Sequence, residues 1–259
     1  MLKILYEDTD ILVVDKPPGL VVTEIRLGEP AHRLDKDTSG VLLVAKHKKA
    51  LENLQHQFKT RLVKKEYLAL VHGQVMEGGR VDAAILRNPQ KREKFTVVPP
   101  GRSPFGHLPG VTKLLPGGGK EAETEYEPLE RLQVTPQHGS GQAGDRLQGI
   151  FSEFNKIQMR KLERQRYGEF TLVKCFPKTG RTHQIRVHLK YIQHPVVADD
   201  KYVGRRWVRL DKRWCPRMFL HAAKIGFKHP VTGKWMEVES PLPKDLKEAL
   251  WTTFLYNWP

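Results

Sequence analysis

The sequence predicts an α+β fold, and three observations carry that expectation. Short β-branched or apolar runs recur at residues 11–14, 41–44, 67–71 and 170–176, with the length and composition of buried strands. Helical spacing of apolar residues is confined to a few segments, and no regular alternation of strand and helix joins them. The 259 residues are 39% hydrophobic and 28% charged, the balance of an ordered chain that needs neither disulfides nor a structural metal to hold a core.

Taken in order, Ile4, Leu5 and Tyr6, an acidic turn over residues 7–10, and Ile11-Leu12-Val13-Val14 form a hairpin ending at Lys16-Pro17-Pro18-Gly19. A polar loop then leads through His32-Arg33-Leu34-Asp35-Lys36-Asp37-Thr38-Ser39-Gly40 into the strand at 41–44. Leu51, Leu54 and Phe58, at i, i+3 and i+7, mark an amphipathic helix. The next strand, 67–71, stops at Gly73, and Thr124 and Tyr126 belong to a further one. Strand 170–176 is turned by Pro177-Lys178-Thr179-Gly180. Thr182 is then placed to cap a helix carrying Ile185, Leu189 and Ile192. Residues 97–119 and 133–149, rich in Gly, Pro, Gln and Ser, read as insertions into one domain of residues 1–259.

Lys plus Arg number 44 against 29 Asp plus Glu, a formal charge of +15. Such an excess favours a polyanionic partner, because each neutralised phosphate releases condensed counterions; a basic surface serving only solubility is the other reading. Apolar runs fall far short of the ~20 residues of a membrane helix, and Glu7, Asp8 and Asp10 interrupt any secretory signal. Cys175 and Cys215 are too few for a disulfide framework or a zinc site and point to a reducing, cytoplasmic setting. Markers of P-loop nucleotide hydrolysis, zincin proteolysis and α/β-hydrolase acyl transfer are missing. His183 and His188 are five apart, a spacing that a helix turns to different faces, so no metal site is expected.

Two residues then stand out. Asp35 lies among cations and a Thr-Ser-Gly turn, and Arg186 closes the segment Gly180-Arg181-Thr182-His183-Gln184-Ile185-Arg186. A carboxylate near the mouth of a strand needs a cationic partner, and pairing with Arg186 would keep it ionised as a nucleophile must be. A turn-capping aspartate and an arginine on a solvated helix face fit the same spacing.

Several segments, in order from about residue 4 to residue 243, together resemble the RluA class of pseudouridine synthases. They are Lys16-Pro17-Pro18-Gly19-Leu20, His32-Arg33-Leu34-Asp35 with Thr38-Ser39-Gly40, Lys65-Glu66-Tyr67-Leu68-Ala69-Leu70-Val71-His72-Gly73, residues 179–188, His221-Ala222 and His229-Pro230. The resemblance implies a single catalytic domain with a central mixed, largely antiparallel sheet flanked by helices and loop insertions. It implies no separate N-terminal RNA-binding domain and no cofactor.

The implied activity is isomerisation of a uridine in structured RNA, ribosomal or transfer: the base leaves its ribose, rotates and rejoins through carbon 5. A stacked base must first be everted. By resemblance Asp35 is the essential carboxylate and Arg186 its basic partner. Arg33 fills the place the base vacates. Tyr67 packs on the base and is a candidate for moving the carbon 5 proton, and Ile185 covers the other side. His32, Arg181, His183 and Gln184 share these motifs and are expected to orient the substrate or touch phosphate. A core aromatic is the other reading of Tyr67.

Residues 205–217, with six cations around Trp207 and Trp214, read as an RNA-gripping loop, and Arg160, Lys161, Arg164 and Arg166 as an exposed helix face. No membrane and no obligate protein partner enter this reading, and the protein is expected to be monomeric. Where the family carries Gly-Asp before a Lys-Tyr-Gly-like run, this chain has Ala198-Asp199-Asp200-Lys201-Tyr202, a departure expected to lie away from the chemistry. The alternative function is that of a catalytically silent relative that binds or folds RNA.

Overall fold

The computed structural model describes residues 2–98, 119–133, 156–164 and 166–253. Strands β1 (Lys3–Glu7) and β2 (Ile11–Lys16) form the expected hairpin. Its turn is closed by Asp8, whose Oδ1 accepts from the backbone N–H groups of Asp10 and Ile11 at 2.8 Å each. There follow β3 (Glu29–Pro30), β4 (Ser39–Ala45), α1 (Lys48–Lys59), β5 (Lys64–His72), β6 (Gly79–Asp82), β7 (Ala84–Arg87), β8 (Phe95–Val98) and β9 (Glu123–Gln133). The chain continues with α2 (Lys156–Arg164), β10 (Glu169–Pro177), α3 (Gln184–Tyr191), α4 (Arg205–Asp211), β11 (Leu220–Lys228), β12 (Trp235–Glu239) and α5 (Lys244–Thr253).

Among the described residues ten strands join one sheet in the order β1-β2-β4-β11-β5-β10-β9-β6, with β12 on β11 and β3 on β4, while β7 and β8 pair with each other. The pairing of β4 with β11 is parallel; the other strand pairs described are antiparallel. This is the mixed, largely antiparallel sheet of an α+β chain.

All seven residues of β4 are buried, and alternate side chains of β2 and β4 go to opposite faces. Ile11, Val13, Val41 and Leu43 pack with Ala50 and Leu54 of α1. Leu12, Val14, Leu42 and Val44 pack with Val22, Ile25 and Leu34. Burial on both faces is why these runs are continuously apolar instead of alternating. Further along the sheet, Ala69, Val71, Val173 and Cys175 face Ile185 and Leu189 of α3. On the other side Leu68, Leu70, Phe170 and Leu172 pack with Leu210, Trp214 and Leu246.

Three sequence expectations need correction. Residues 205–217 begin with a helix, α4, in place of a gripping loop. Trp207, Leu210 and Trp214 fall at i, i+3 and i+7 and pack inward together, while Arg205, Arg206, Arg209, Lys212 and Arg213 are exposed. The tryptophans therefore serve the core. Helix α3 is capped by His183 at a φ of 57°, not by Thr182, and uses no side-chain cap. Val97 and Val98 close β8, and Gln133 closes β9; residues 99–118 and 134–149 of the expected insertions lie outside the described residues. Arg160, Lys161, Arg164 and Arg166 are exposed, as expected.

Strands β4 and β11 approach most closely at Gly40, whose φ is 115°. A Cβ added there would overlap the carbonyl oxygen of Ala222, and that φ also excludes L side chains. Gly40→Ala is expected to cost about 3 kcal/mol or more, a fall in Tm of roughly 6–12 °C for a chain of this size. Calorimetry reads the effect, and an unchanged Tm would contradict the close approach.

Candidate active site

The residues entering β4 form one wall of a cavity of about 250 Å³. Their loop is held from behind by Lys16, wholly buried at the end of β2. Its ammonium donates to the carbonyl oxygens of Pro17, Leu20 and Lys36 at 2.8, 2.9 and 3.0 Å, and burial lowers its pKa to about 8. The backbone N–H of Thr38 donates to the Asp35 carbonyl oxygen at 3.1 Å and closes the turn. Next to it the Ser39 hydroxyl donates to Nδ1 of His221, whose Nε2–H donates to the Ser240 carbonyl oxygen, both at 3.0 Å. A carbonyl can only accept, so this tautomer follows.

Helix α3 brings Arg186 to the opposite wall. Its Nη1 donates to Asp35 Oδ2 at 3.0 Å, while Nε and Nη2 donate to the two oxygens of Asp199 at 2.7 and 2.8 Å. One buried guanidinium thus bridges two carboxylates, with a fork to one and a single bond to the other. Burial works against its charge, but Asp199 and then Asp35 outweigh burial and hold its pKa above the ordinary value.

Asp199 is itself fully buried and accepts from the backbone N–H groups of Lys201 and Tyr202. The expectation that residues 198–202 lie away from the chemistry is overturned: Asp199 aims the arginine that holds Asp35. Ala198 adopts a left-handed φ of 57° where the resembled family has glycine. Its N–H is fixed by Asp211 Oδ2 at 2.9 Å, and that oxygen also pairs with His72 Nε2 at 3.0 Å.

Tyr67 of β5 and Ile185 of α3 line the same cavity. Burial, and then the charge of Asp35, raises the pKa of the Tyr67 phenol. His183 stands beside them. The Tyr202 oxygen accepts the Phe95 backbone N–H at 2.9 Å and lies 2.8 Å from His183 Nδ1, with which it shares a hydrogen bond. The imidazole Nε2 lies 4.0 Å from Asp35 Oδ2. Arg33 is exposed at the rim and pairs with no carboxylate among the described residues.

The remaining expected residues line the cavity but turn their polar groups to the chain. His32 Nε2 accepts the Leu43 backbone N–H at 3.1 Å, and Arg181 Nε donates to the Glu121 carbonyl oxygen at 2.9 Å. Gln184 accepts from the Thr179 hydroxyl and the Arg181 N–H, and donates to the Glu123 carbonyl oxygen and Thr124 Oγ1. All four of its hydrogen-bonding positions are filled, so it shapes the turn into α3 instead of reading a substrate. His188 is likewise engaged by Thr124 and the Ala83 carbonyl oxygen, apart from His183. Asp8, Asp10 and His229 cluster elsewhere. There His229 Nδ1 accepts the Thr232 N–H, so its Nε2–H donates to Asp8 at 2.9 Å, a hydrogen bond in place of a metal lone pair.

A sequence profile described as RNA pseudouridylate synthase matches residues 26–191, a span containing Asp35, Tyr67 and Arg186. The chain belongs to the RNA pseudouridylate synthase family. This synthase is 34% identical over 275 residues to "Uncharacterized RNA pseudouridine synthase YlyB" of Bacillus subtilis (strain 168), covering 96% of this chain and 72% of that protein. It is 35% identical over 269 residues to "Ribosomal large subunit pseudouridine synthase C" of Escherichia coli (strain K12), covering 95% of this chain and 68% of that protein. The solved structure of "Human RNA Pseudouridylate Synthase Domain Containing 1" superposes with a TM-score of 0.67 at 27% identity, covering 94% of this chain and 84% of that one. The synthase is an isomerase, the enzyme class of its relatives.

Two expectations about the synthase follow from its geometry. Asp199→Asn leaves the buried guanidinium without its forked partner, and a loss of about 3–5 kcal/mol is expected in denaturant titration; a neutral effect would show that Arg186 does not depend on Asp199. The second concerns pH. Burial lowers the pKa of His183 to about 4 and of His32 to about 3, from 6.5. The unfolded chain takes up these protons first, so their stabilisation is complete above pH 6.5 and is lost as pH falls toward 4 and then 3. His32→Gln keeps an acceptor for the Leu43 N–H without titrating, and should flatten the fall of Tm across that window. A Tm curve parallel to wild type would contradict a neutral His32.

Proposed function

We propose that this synthase isomerises a uridine of structured RNA, ribosomal or transfer, everted into the cavity beside Asp35. The observation that carries the reading is the Asp35–Arg186 pair, held from behind by Asp199, which lines one cavity with Tyr67 and Ile185. A carboxylate paired with a guanidinium suits attack on the ribose or assistance to base departure. Tyr67 offers a π face to the base and a phenolic oxygen for the carbon 5 proton, and Ile185 covers the other side. Arg33, planar and without a carboxylate partner among the described residues, suits the place in the stack that the base leaves.

The formal charge of +15 supports a polyanionic substrate, and the name of the Escherichia coli relative favours ribosomal RNA of the large subunit. No helix among the described residues is long and apolar enough to cross a membrane. Cys175 and Cys215 are free and buried, which fits action in a reducing cytoplasm.

Release of tritium from RNA labelled at uracil carbon 5 tests the reading. Wild type should release the label, and Asp35→Asn should lower the rate by about 10⁴-fold or more while still binding RNA. Wild type that binds RNA but releases no label would instead be a silent RNA-binding relative.

A further inference from the structure

Lys65 lines the Asp35 cavity. Its ammonium donates once, to the Thr179 carbonyl oxygen at 2.9 Å, and no carboxylate among the described residues lies within ion-pair reach. Of the other cations of the wall, Arg186 is paired with Asp35 and Asp199 and Lys178 with Glu125, while Arg33 and Arg181 are exposed to solvent and Lys65 is half-buried. An ammonium has three donors, so two of those on Lys65 find no acceptor among the described residues. Burial alone lowers its pKa, to about 8, which still leaves it charged at neutral pH. A half-buried cation with donors to spare at a cavity wall is placed to meet an acceptor of the substrate.

Lys65 and Tyr67 are two residues apart on β5, so their side chains share a face about 7 Å apart along the strand. Strand register sets Tyr67 opposite Ala222, which pairs with Gly40 at the Asp35 end of β4, and sets Lys65 opposite Ile225, farther from that end, which puts Lys65 on the side of the cavity away from Asp35. Resting on the uridine isomerisation proposed above, we infer that the Lys65 ammonium hydrogen-bonds the carbonyl oxygen on the uracil edge opposite the glycosidic bond, selecting uracil over cytosine and stabilising the detached base.

With the ring on Tyr67 and its glycosidic nitrogen toward Asp35, the opposite ring atom is carbon 4. Uracil carries an acceptor there and cytosine an amino donor, which an ammonium can only repel. When the bond from C1′ to N1 breaks, its electron pair stays with the base and spreads over N1, O2 and O4, where a preoriented donor is most effective. Turning the ring about its N3–C6 axis exchanges N1 with C5 and C4 with C2. O2 then arrives where O4 stood, so Lys65 keeps an acceptor through both halves of the reaction. The C1′–N1 bond breaks, C1′–C5 forms, the carbon 5 proton leaves and N1 gains one. Atoms balance without a co-reactant, and Lys65 remains an ammonium.

Single-turnover conversion tests the inference, on RNA whose target uridine is first mapped by carbodiimide-blocked primer extension. Lys65→Met should slow conversion about 10²–10³-fold with RNA affinity retained and Tm little changed, since a half-buried charge and one hydrogen bond to a carbonyl oxygen are lost together. Lys65→Arg should restore part of the rate. Placing 4-thiouridine at the target, whose sulfur accepts weakly, should slow wild type about tenfold and slow Lys65→Met no further. Wild type converting 4-thiouridine as fast as uridine overturns the inference, whether or not the Met variant folds. A loss confined to RNA affinity, with a shallower salt dependence, puts the ammonium on a phosphate and overturns it as well. Wild type inactive on uridine overturns both proposals; wild type active beside an equally active Lys65→Met overturns this one alone.

Discussion

A guanidinium taken out of water must have its donors matched, and Arg186 meets that demand by joining Asp35 to Asp199. The two ends of the bridge come from distant parts of the chain: Asp35 is 151 residues from Arg186, and Asp199 is 13. They meet because β11, β5 and β10 follow β4 in the sheet and α3 packs on β5 and β10. Inside a protein such contacts are strong when complete and costly when broken. Each end is accordingly backed by a second layer: Lys16 behind the Asp35 loop, Gln184 behind the turn into α3, and Asp211 behind Ala198.

The motifs that carry the family resemblance contain two kinds of polar residue, and the structure separates them. His32, Gln184, His188, His221 and His229 satisfy buried backbone or side-chain groups of the chain itself. Asp35, Tyr67, Arg33 and Lys65 turn toward the cavity or its rim. A motif holds both kinds because the chemistry requires its scaffold to be stiff: Asp35 is positioned only as well as the turn, strand and helix ends around it. The buried histidines suit this task, since a neutral imidazole donates at one nitrogen and accepts at the other.

Much of the fold was legible where local pattern and final environment agree. The strands at 11–14, 41–44, 67–71 and 170–176 form where β-branched runs occur, and α1 where Leu51 and Leu54 share a face. Disagreement arose where two explanations fit one composition. Cations around Trp207 and Trp214 suit an RNA-binding loop, yet the i, i+3, i+7 spacing of Trp207, Leu210 and Trp214 suits a core helix, and burial of aromatic area decided between them. Thr182 has a capping side chain, but Gln184 already accepts the Arg181 N–H at that turn.

By itself the sequence determined the α+β class, the places of the principal strands, the polyanion-seeking charge and, through motif resemblance, the pairing of Asp35 with Arg186. These are properties of neighbouring residues or of motifs whole enough to recognise. Only the tertiary structure decided that Asp199 anchors the pair, that Gln184 and His32 bond to their own chain, and that Lys65 meets no carboxylate among the described residues. Such facts depend on which strands become neighbours and in what register, and on what reaches a buried group from residues far along the chain. Local periodicity carries no record of that.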